Sequence, residues 1–250
     1  MKRIIASMMM LCLTAAYAQE KTDTTLMQEV TVSNSKDNRA LRDQPLASTT
    51  IDTHEIISKG MHSMTDLASY VPNLFIPAYG SRQTTAIYMR GVGSRINTPA
   101  VGLYVDDILW ADKSAYDFDI SDVQSIDILR GPQSTLYGRN AMGGLIRIST
   151  KNPLDYQGTD INLQGATYGT ARASATHYHR ISSRLGFSGG FGYAHSEGYF
   201  TNHYNDKKAD RDDEANARFR LVAKPTDVVR LDFHANYEYS RQGAYPYMLE

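Results

Sequence analysis

The sequence has 250 residues, with 26 basic and 27 acidic side chains and a formal net charge of −1, so its charge offers nothing to attract nucleic acid. Its single cysteine is Cys12; once the first eighteen residues are removed the chain has no disulfide, no thiolate metal ligand and no cysteine nucleophile. Beyond that segment no run approaches the ~20 apolar residues of a membrane-spanning helix, which leaves strands closing a barrel as the one way across a bilayer.

Lys2 and Arg3 precede a short apolar run, and Ala16 and Ala18 put small residues at the −3 and −1 positions before Gln19. Residues 1–18 therefore read as a secretory signal peptide. Residues 19–37 are polar and read as extended. Within them Val30 and Val32 alternate with Glu29, Thr31 and Ser33. This stretch is β-prone but isolated, and cannot bury a face alone. Two readings stay open: the first strand of the domain that follows, or a segment that adds a strand to the edge of a partner's sheet.

Residues 38–152 mix short strands, one helix and many Gly/Pro turns. Residues 51–57 read as a strand running into a polar turn. Met64, Leu67, Ala68 and Val71 recur at helical spacing, with Ser63 as N-cap and Pro72 as terminator. Residues 86–89 and 101–108 are strand candidates. Three loops, residues 77–85, 94–100 and 109–118, hold Tyr79, Arg82, Arg95, Trp110 and Tyr116, which suit gripping a ligand or simply studding a surface. Gly91-Val92-Gly93 lacks the third glycine and helix of a phosphate loop. Asp106 and Asp107 are neighbours on a strand and so point to opposite faces, which suits a turn or ion pairs better than shared acid–base work.

Residues 129–148, LRGPQSTLYGRNAMGGLIRI, form the densest motif. A strand over residues 125–130 is stopped by Gly131-Pro132, since proline brings no N–H to a ladder. Pro132 then opens a short helical turn with Gly138 as its C-cap. Gly143-Gly144 allow close backbone approach before a second strand, residues 145–150.

From residue 158 onward the text is all-β. Five segments alternate apolar with polar residues. In the last two, Ala215, Ala217, Phe219, Leu221 and Ala223 alternate with Asn216, Arg218, Arg220 and Lys224, and Val229, Leu231, Phe233, Ala235, Tyr237 and Tyr239 alternate with Arg230, Asp232, His234, Asn236 and Glu238. One face is apolar and the other charged over the length of a tilted membrane strand. Short connections at residues 182–183 and 224–227 frame a long charged one at 198–213, the asymmetry of an outer-membrane barrel. A soluble β-sandwich would tolerate the alternation but has no need of a charged face that long. His177 and His179 share a face at metal-ligand spacing without an evident third ligand, which favours aqueous or interfacial histidines. The run at residues 206–214 reads as a solvated loop. Five strands cannot close a membrane barrel, so a longer protein is expected.

The order of these motifs, with EVTVS, DLASYVPN, MRGVG, LYVDD and LRGPQSTLYGRNAMGGLIRIST ahead of alternating strands, resembles the TonB-dependent outer-membrane receptors. LYVDD departs from the family's VDG at Asp107. The resemblance implies an α+β plug domain, a small mixed sheet with short helices at residues 38–152, followed by the first antiparallel strands of a transmembrane β-barrel of about 22 strands from residue 158 to 250. It implies a TonB box at Glu29, Val30, Thr31, Val32 and Ser33, plug–barrel contacts at Arg90 and Arg130, and ligand contacts at the three loop apices. The partners implied are TonB with its inner-membrane energising complex, a small ligand such as a metal chelate, and outer-membrane lipid. No cofactor, metal or catalytic residue is implied. A siderophore or other iron complex is the expected ligand; cobalamin, haem and an oligosaccharide are alternatives, as is a passive porin or surface adhesin with a similar barrel.

Overall fold

The computed structural model describes residues 47–77, 85–95, 98–112, 115–116, 118–202 and 206–243. The first eighteen residues and the five residues expected to form the TonB box lie outside that set, as do Tyr79 and Arg82.

The plug is built on a five-stranded sheet of β1 (Ala47–Asp52), β6 (Val123–Arg130), β7 (Gly144–Thr150), β4 (Val101–Val105) and β5 (Ile108–Trp110), in the spatial order β1-β6-β7-β4-β5. The β4–β7 pair is parallel and the other pairs are antiparallel. A short ribbon, β2 (Leu74–Phe75) with β3 (Tyr88–Met89), and three short helices, α1 (Thr53–Ser58), α2 (Met64–Leu67) and α3 (Ser134–Tyr137), complete it. Ile51, Met64, Leu67, Leu103, Tyr116, Ile120, Ile126 and Ile128 lie in one buried cluster.

Local chemistry sets these limits. The expected strand over residues 51–57 ends at Asp52 instead. The Asp52 carboxylate accepts from the Glu55 amide at 2.8 Å and starts α1 there, so side-chain capping overrides the apolar alternation. Ser63 does precede α2, and the Asp66 carboxylate accepts from the His62 and Ser63 amides at 2.8 and 3.0 Å. That helix is only four residues long, with Val71 held by a bond to Leu67 O in the turn beyond. The expected strand over 101–108 is a hairpin. Asp106 and Asp107 both take positive φ, 47° and 67°, between the paired Val105 and Ile108. This is the two-residue turn whose twist matches the flanking strands. Arg90 and Gly91 form a second positive-φ turn, closed by bonds in both directions between Met89 and Val92. The helical turn after Pro132 starts at Ser134, with Gln133 at the cap position, and Gly138 follows it at φ +76°.

The second sheet is an antiparallel meander of β8 (Gly158–Ala166), β9 (Thr170–Ser182), β10 (Leu185–Ser196), β13 (Asp212–Ala223) and β14 (Leu231–Gln242). Ribbon β11 (Thr201–Asn202) with β12 (Lys207–Lys208) lies in the long connection, so the run over residues 206–214 is partly strand and partly the start of β13. The alternation sorts the wall's two faces. Leu163, Phe191, Phe233 and Tyr237 stand on one face more than half exposed, while Arg218 and Arg220 point to the plug. A row of bare apolar side chains on long strands is what a lipid-facing wall presents. His177 and His179 stand on this outer face of β9 with rings stacked at 6.1 Å, and His177 Nδ1 lies 2.8 Å from Thr159 Oγ1.

Two predictions follow from the plug interior. A Cβ at Gly144 would lie 2.1 Å from Met89 Sδ and 2.5 Å from Leu129 O, so Gly144→Ala forces β6 and β7 apart. It should cost about 3 kcal/mol of plug stability in a urea titration, whereas Gly165→Ala, with nothing within 4 Å, should be near neutral. Asp127 is buried at the sheet centre, bonded by Thr50 Oγ1 at 2.9 Å. Burial raises its pKa above the ordinary 3.8, against the opposing Thr50 bond and Arg147 charge. A carboxyl raised on folding loses stability as pH climbs from 3.8 through its folded value. Asp127→Asn should therefore raise the plug's unfolding midpoint at pH 7, and the advantage should vanish below pH 3.8.

Candidate functional site

The best-defined polar constellation joins the plug to the wall. Its centre is Arg220 of β13, buried with a side chain 8% exposed. Its guanidinium grips Asp232 of β14 through two bonds, Nε to Oδ1 at 3.0 Å and Nη2 to Oδ2 at 2.8 Å. Its remaining nitrogen, Nη1, reaches the plug: Thr150 Oγ1 at 2.7 Å and Asp106 Oδ1 at 3.3 Å. Asp106 is itself held by the Thr150 amide at 2.9 Å and hydroxyl at 2.7 Å. The positive-φ turn is what aims this carboxylate at the wall, at the end of β4 beside the end of β7. His234 completes the group, with Nε2 2.9 Å from Asp232 and Nδ1 3.8 Å from Asp106.

Two residues along β13, Arg218 donates to the Asp122 carboxylate and to Asp119 O, and lies over the Phe118 ring at 5.3 Å. Arg218 and Arg220 share the inner face because strand side chains repeat every two residues. A third contact lies at the linker, where Lys151 meets Asp160 at 2.6 Å and Tyr156 donates to the same carboxylate at 2.7 Å. The seam thus pairs wall cations with plug anions twice and reverses the sign once.

The residues singled out from sequence fall differently. Tyr116 is no ligand contact: its ring is fully buried in the plug core and its hydroxyl donates to Val101 O at 3.4 Å. Burial drives the Tyr116 pKa up, so the hydroxyl stays protonated. The apolar neighbours Phe118 and Ile120 draw this end of the loop inward. Trp110 belongs to β5 rather than to a loop, and is half-buried against Phe118 at 4.8 Å. Arg95 is exposed. Arg90 is also exposed, in its tight turn. Arg130 donates to Ala47 O, Ser48 O and Pro72 O at 3.4, 3.1 and 3.3 Å, all within the plug. Among the described residues the plug–wall contact runs through Asp106, Asp122, Arg218 and Arg220, with Lys151 and Asp160 at the linker. The charged face of residues 216–224 was the available signal for the wall half; nothing local marks Asp106 as its partner.

Above this seam His62 of the plug faces Arg172 of the wall. Burial lowers the His62 pKa, Arg172 lowers it further, and Asp66 and Asp119 oppose the shift.

A family model described as the TonB-dependent receptor plug domain matches residues 40–145. The chain is 35% identical over 140 residues to the pesticin receptor of Yersinia enterocolitica, a match covering 55% of this chain and 20% of that protein. It is 28% identical over 159 residues to the catecholate siderophore receptor Fiu of Escherichia coli K12, covering 58% and 20%. The crystal structure of the ferric yersiniabactin uptake receptor FyuA from Yersinia pestis superposes with a TM-score of 0.71 at 27% identity, over 80% of this chain and 33% of that one. The chain spans about a fifth of the length of the curated relatives it matches. These relatives are receptors, not enzymes.

Removing one partner of the central group leaves a buried charge unpaired. Arg220→Met, which takes the guanidinium from Asp106 while Asp232 keeps Arg230 at 2.8 Å, should weaken plug docking by about 3 kcal/mol. The double variant Arg220→Met/Asp106→Asn should recover part of that loss. Hydrogen exchange at the Thr150 and Lys151 amides reads both effects.

Proposed function

We propose that this chain, whose residues 40–145 match the plug domain of the TonB-dependent receptors, is part of a receptor that binds a ferric siderophore or similar iron complex outside the cell and admits it to the periplasm when TonB pulls on the plug. The observation that carries this reading is the seam. A folded plug is pinned by ion pairs to the polar face of a wall whose other face is bare and apolar. Such a plug blocks a lumen until something moves it, which a passive pore does not need. The names of Fiu and FyuA support an iron chelate as cargo.

In this reading residues 1–18 direct export and residues 19–37 carry the TonB box. Residues 38–152 form the plug, and residues 158–250 begin an outer-membrane barrel. Glu29, Val30, Thr31, Val32 and Ser33 add a strand to TonB, since an alternating segment without a core of its own gains its hydrogen bonds from a partner's sheet edge. Tyr79, Arg82 and Arg95 are the proposed ligand contacts, with Trp110 contributing the exposed part of its indole. Arg90, exposed in its turn, is proposed to meet barrel strands that the full-length relatives possess, whereas Arg130 serves the plug itself.

Deletion of residues 29–33 should abolish uptake of iron chelate while leaving surface binding intact, as read by radiolabelled iron in whole cells. Unchanged uptake would turn the reading towards a passive porin or adhesin. Arg82→Ala/Arg95→Ala should weaken chelate binding about tenfold or more in a fluorescence titration, since hydrogen bonds to charged groups contribute roughly 1.5–3 kcal/mol each. Parental affinity would remove both from the site.

A further inference from the structure

The wall's strands put four arginines on the inner face. Arg218 and Arg220 are claimed by the plug, and Arg180 donates to Leu154 O at 3.2 Å. Arg172 differs: among the described residues its side chain makes no hydrogen bond and no ion pair. It lines a cavity of about 160 Å3 between plug and wall.

The strand register sets what surrounds it. Gln164, Arg172, Ala194 and Glu214 stand level across β8, β9, β10 and β13. Neighbouring strands lie about 4.8 Å apart, so Arg172 and Glu214 spring from points roughly 10 Å apart. Only the methyl group of Ala194 stands between them. One row below, Gly192 lets the Asn216 amide close over β10, since a Cβ there would lie 2.7 Å from its Nδ2. Asp212 shares the face of Glu214 two residues away, and both line the cavity. On the plug side His62 lines it too. Burial, and then the Arg172 charge, push the His62 pKa below 6.5 against Asp66 and Asp119, so His62 brings no second cation at pH 7.

The cavity thus has a cation on one flank, carboxylates on the other and a floor of small residues between. A simple anion held by Arg172 would face Glu214 and Asp212. A simple cation beside those carboxylates would face Arg172. No three His, Cys, Asp or Glu side chains among the described residues gather closely enough to hold a metal ion. A group that carries both signs a few ångström apart satisfies both flanks. At about 160 Å3 the cavity is smaller than the roughly 300–1,000 Å3 of whole-ligand sites, so it admits a head group. The long connection leaves β10 just beyond Ser196, at the outward end of a wall whose inward turns are short.

We infer that this cavity binds the zwitterionic head of an α-amino acid, its carboxylate on the Arg172 guanidinium and its ammonium on Glu214 and Asp212, and that the iron complexes taken up carry such an amino-carboxylate arm. The arginine fork matches a carboxylate through two parallel bonds. The second half of this inference rests on the proposed function, and the first half does not.

The full-length receptor in detergent, probed with L-alanine by saturation-transfer NMR, tests the cavity without iron. Alanine should bind about tenfold or more tighter than N-acetylalanine, which keeps only the carboxylate, or alanine amide, which keeps only the ammonium. In Arg172→Gln alanine should bind no better than alanine amide. In Asp212→Asn/Glu214→Gln it should bind no better than N-acetylalanine. Arg172→Lys, which keeps the charge but not the fork, should fall between Arg172→Gln and the parent. No alanine signal from the folded parent, capped compounds that bind as well as alanine, or discrimination that survives both sets of substitutions overturns the cavity. In cells, a ferric chelate bearing a free amino-carboxylate arm should enter about tenfold or more faster than its N-acetylated form. Equal entry of the two, or import confined to chelates without the arm, overturns the second half. A receptor that imports no iron chelate in any form refutes the proposed function, while alanine binding still decides the cavity.

Discussion

Two largely buried arginines on one strand face, Arg218 and Arg220, govern how this chain is put together. A buried cation is tolerated only when anions and hydrogen-bond acceptors surround it. Arg218 and Arg220 find theirs in Asp122, Asp119 O, Asp106, Thr150 and Asp232. Most of those groups belong to the plug. The wall cannot keep these charges satisfied without the plug, and the plug cannot leave without exposing them. Docking is thereby made specific in register as well as favourable, because a slip of one residue along β13 would turn both arginines to the apolar side.

The same period of two gives the wall its second surface. Phe219 and Leu221 alternate with the arginines and face outward, level with Phe187 of β10 and Phe233 of β14. Burial of the inner face against a polar plug and exposure of the outer face to an apolar medium demand opposite chemistry from adjacent residues. Only an extended strand delivers that, and only a length near ten residues delivers it across a bilayer. The three cations of the seam, Arg218 and Arg220 from the wall and Lys151 from the linker, meet their partners between plug and wall.

Within the plug the strands are not equally placed. Strands β6, β7 and β4 lie inside the sheet with neighbours on both sides, and β4 and β7 carry the turn and the threonine that meet the wall. Strand β1 is at the edge, held by one partner and by the Arg130 fork. An edge strand gives up one ladder when it leaves, while a central strand gives up two. The sheet order therefore leaves β1 with one ladder and β6, β7 and β4 with two.

The amino-acid sequence determined the strands of the wall, their two-faced character, the turn after Gly131-Pro132, the N-cap at Ser63 and the likeness to a receptor plug domain, because each rests on contacts within a few residues or on a motif read in order. It misread residues 51–57 and 101–108, where Asp52 and the Asp106-Asp107 turn overrode an apolar alternation. The tertiary structure alone decided which aromatic of the 109–118 loop is core, that Arg130 is used within the plug, and that Asp106 meets Arg220 more than a hundred residues away. A side chain's charge and period are local properties, but its partner is fixed by which surfaces come together on folding. Pattern along the chain carries the first and is silent on the second.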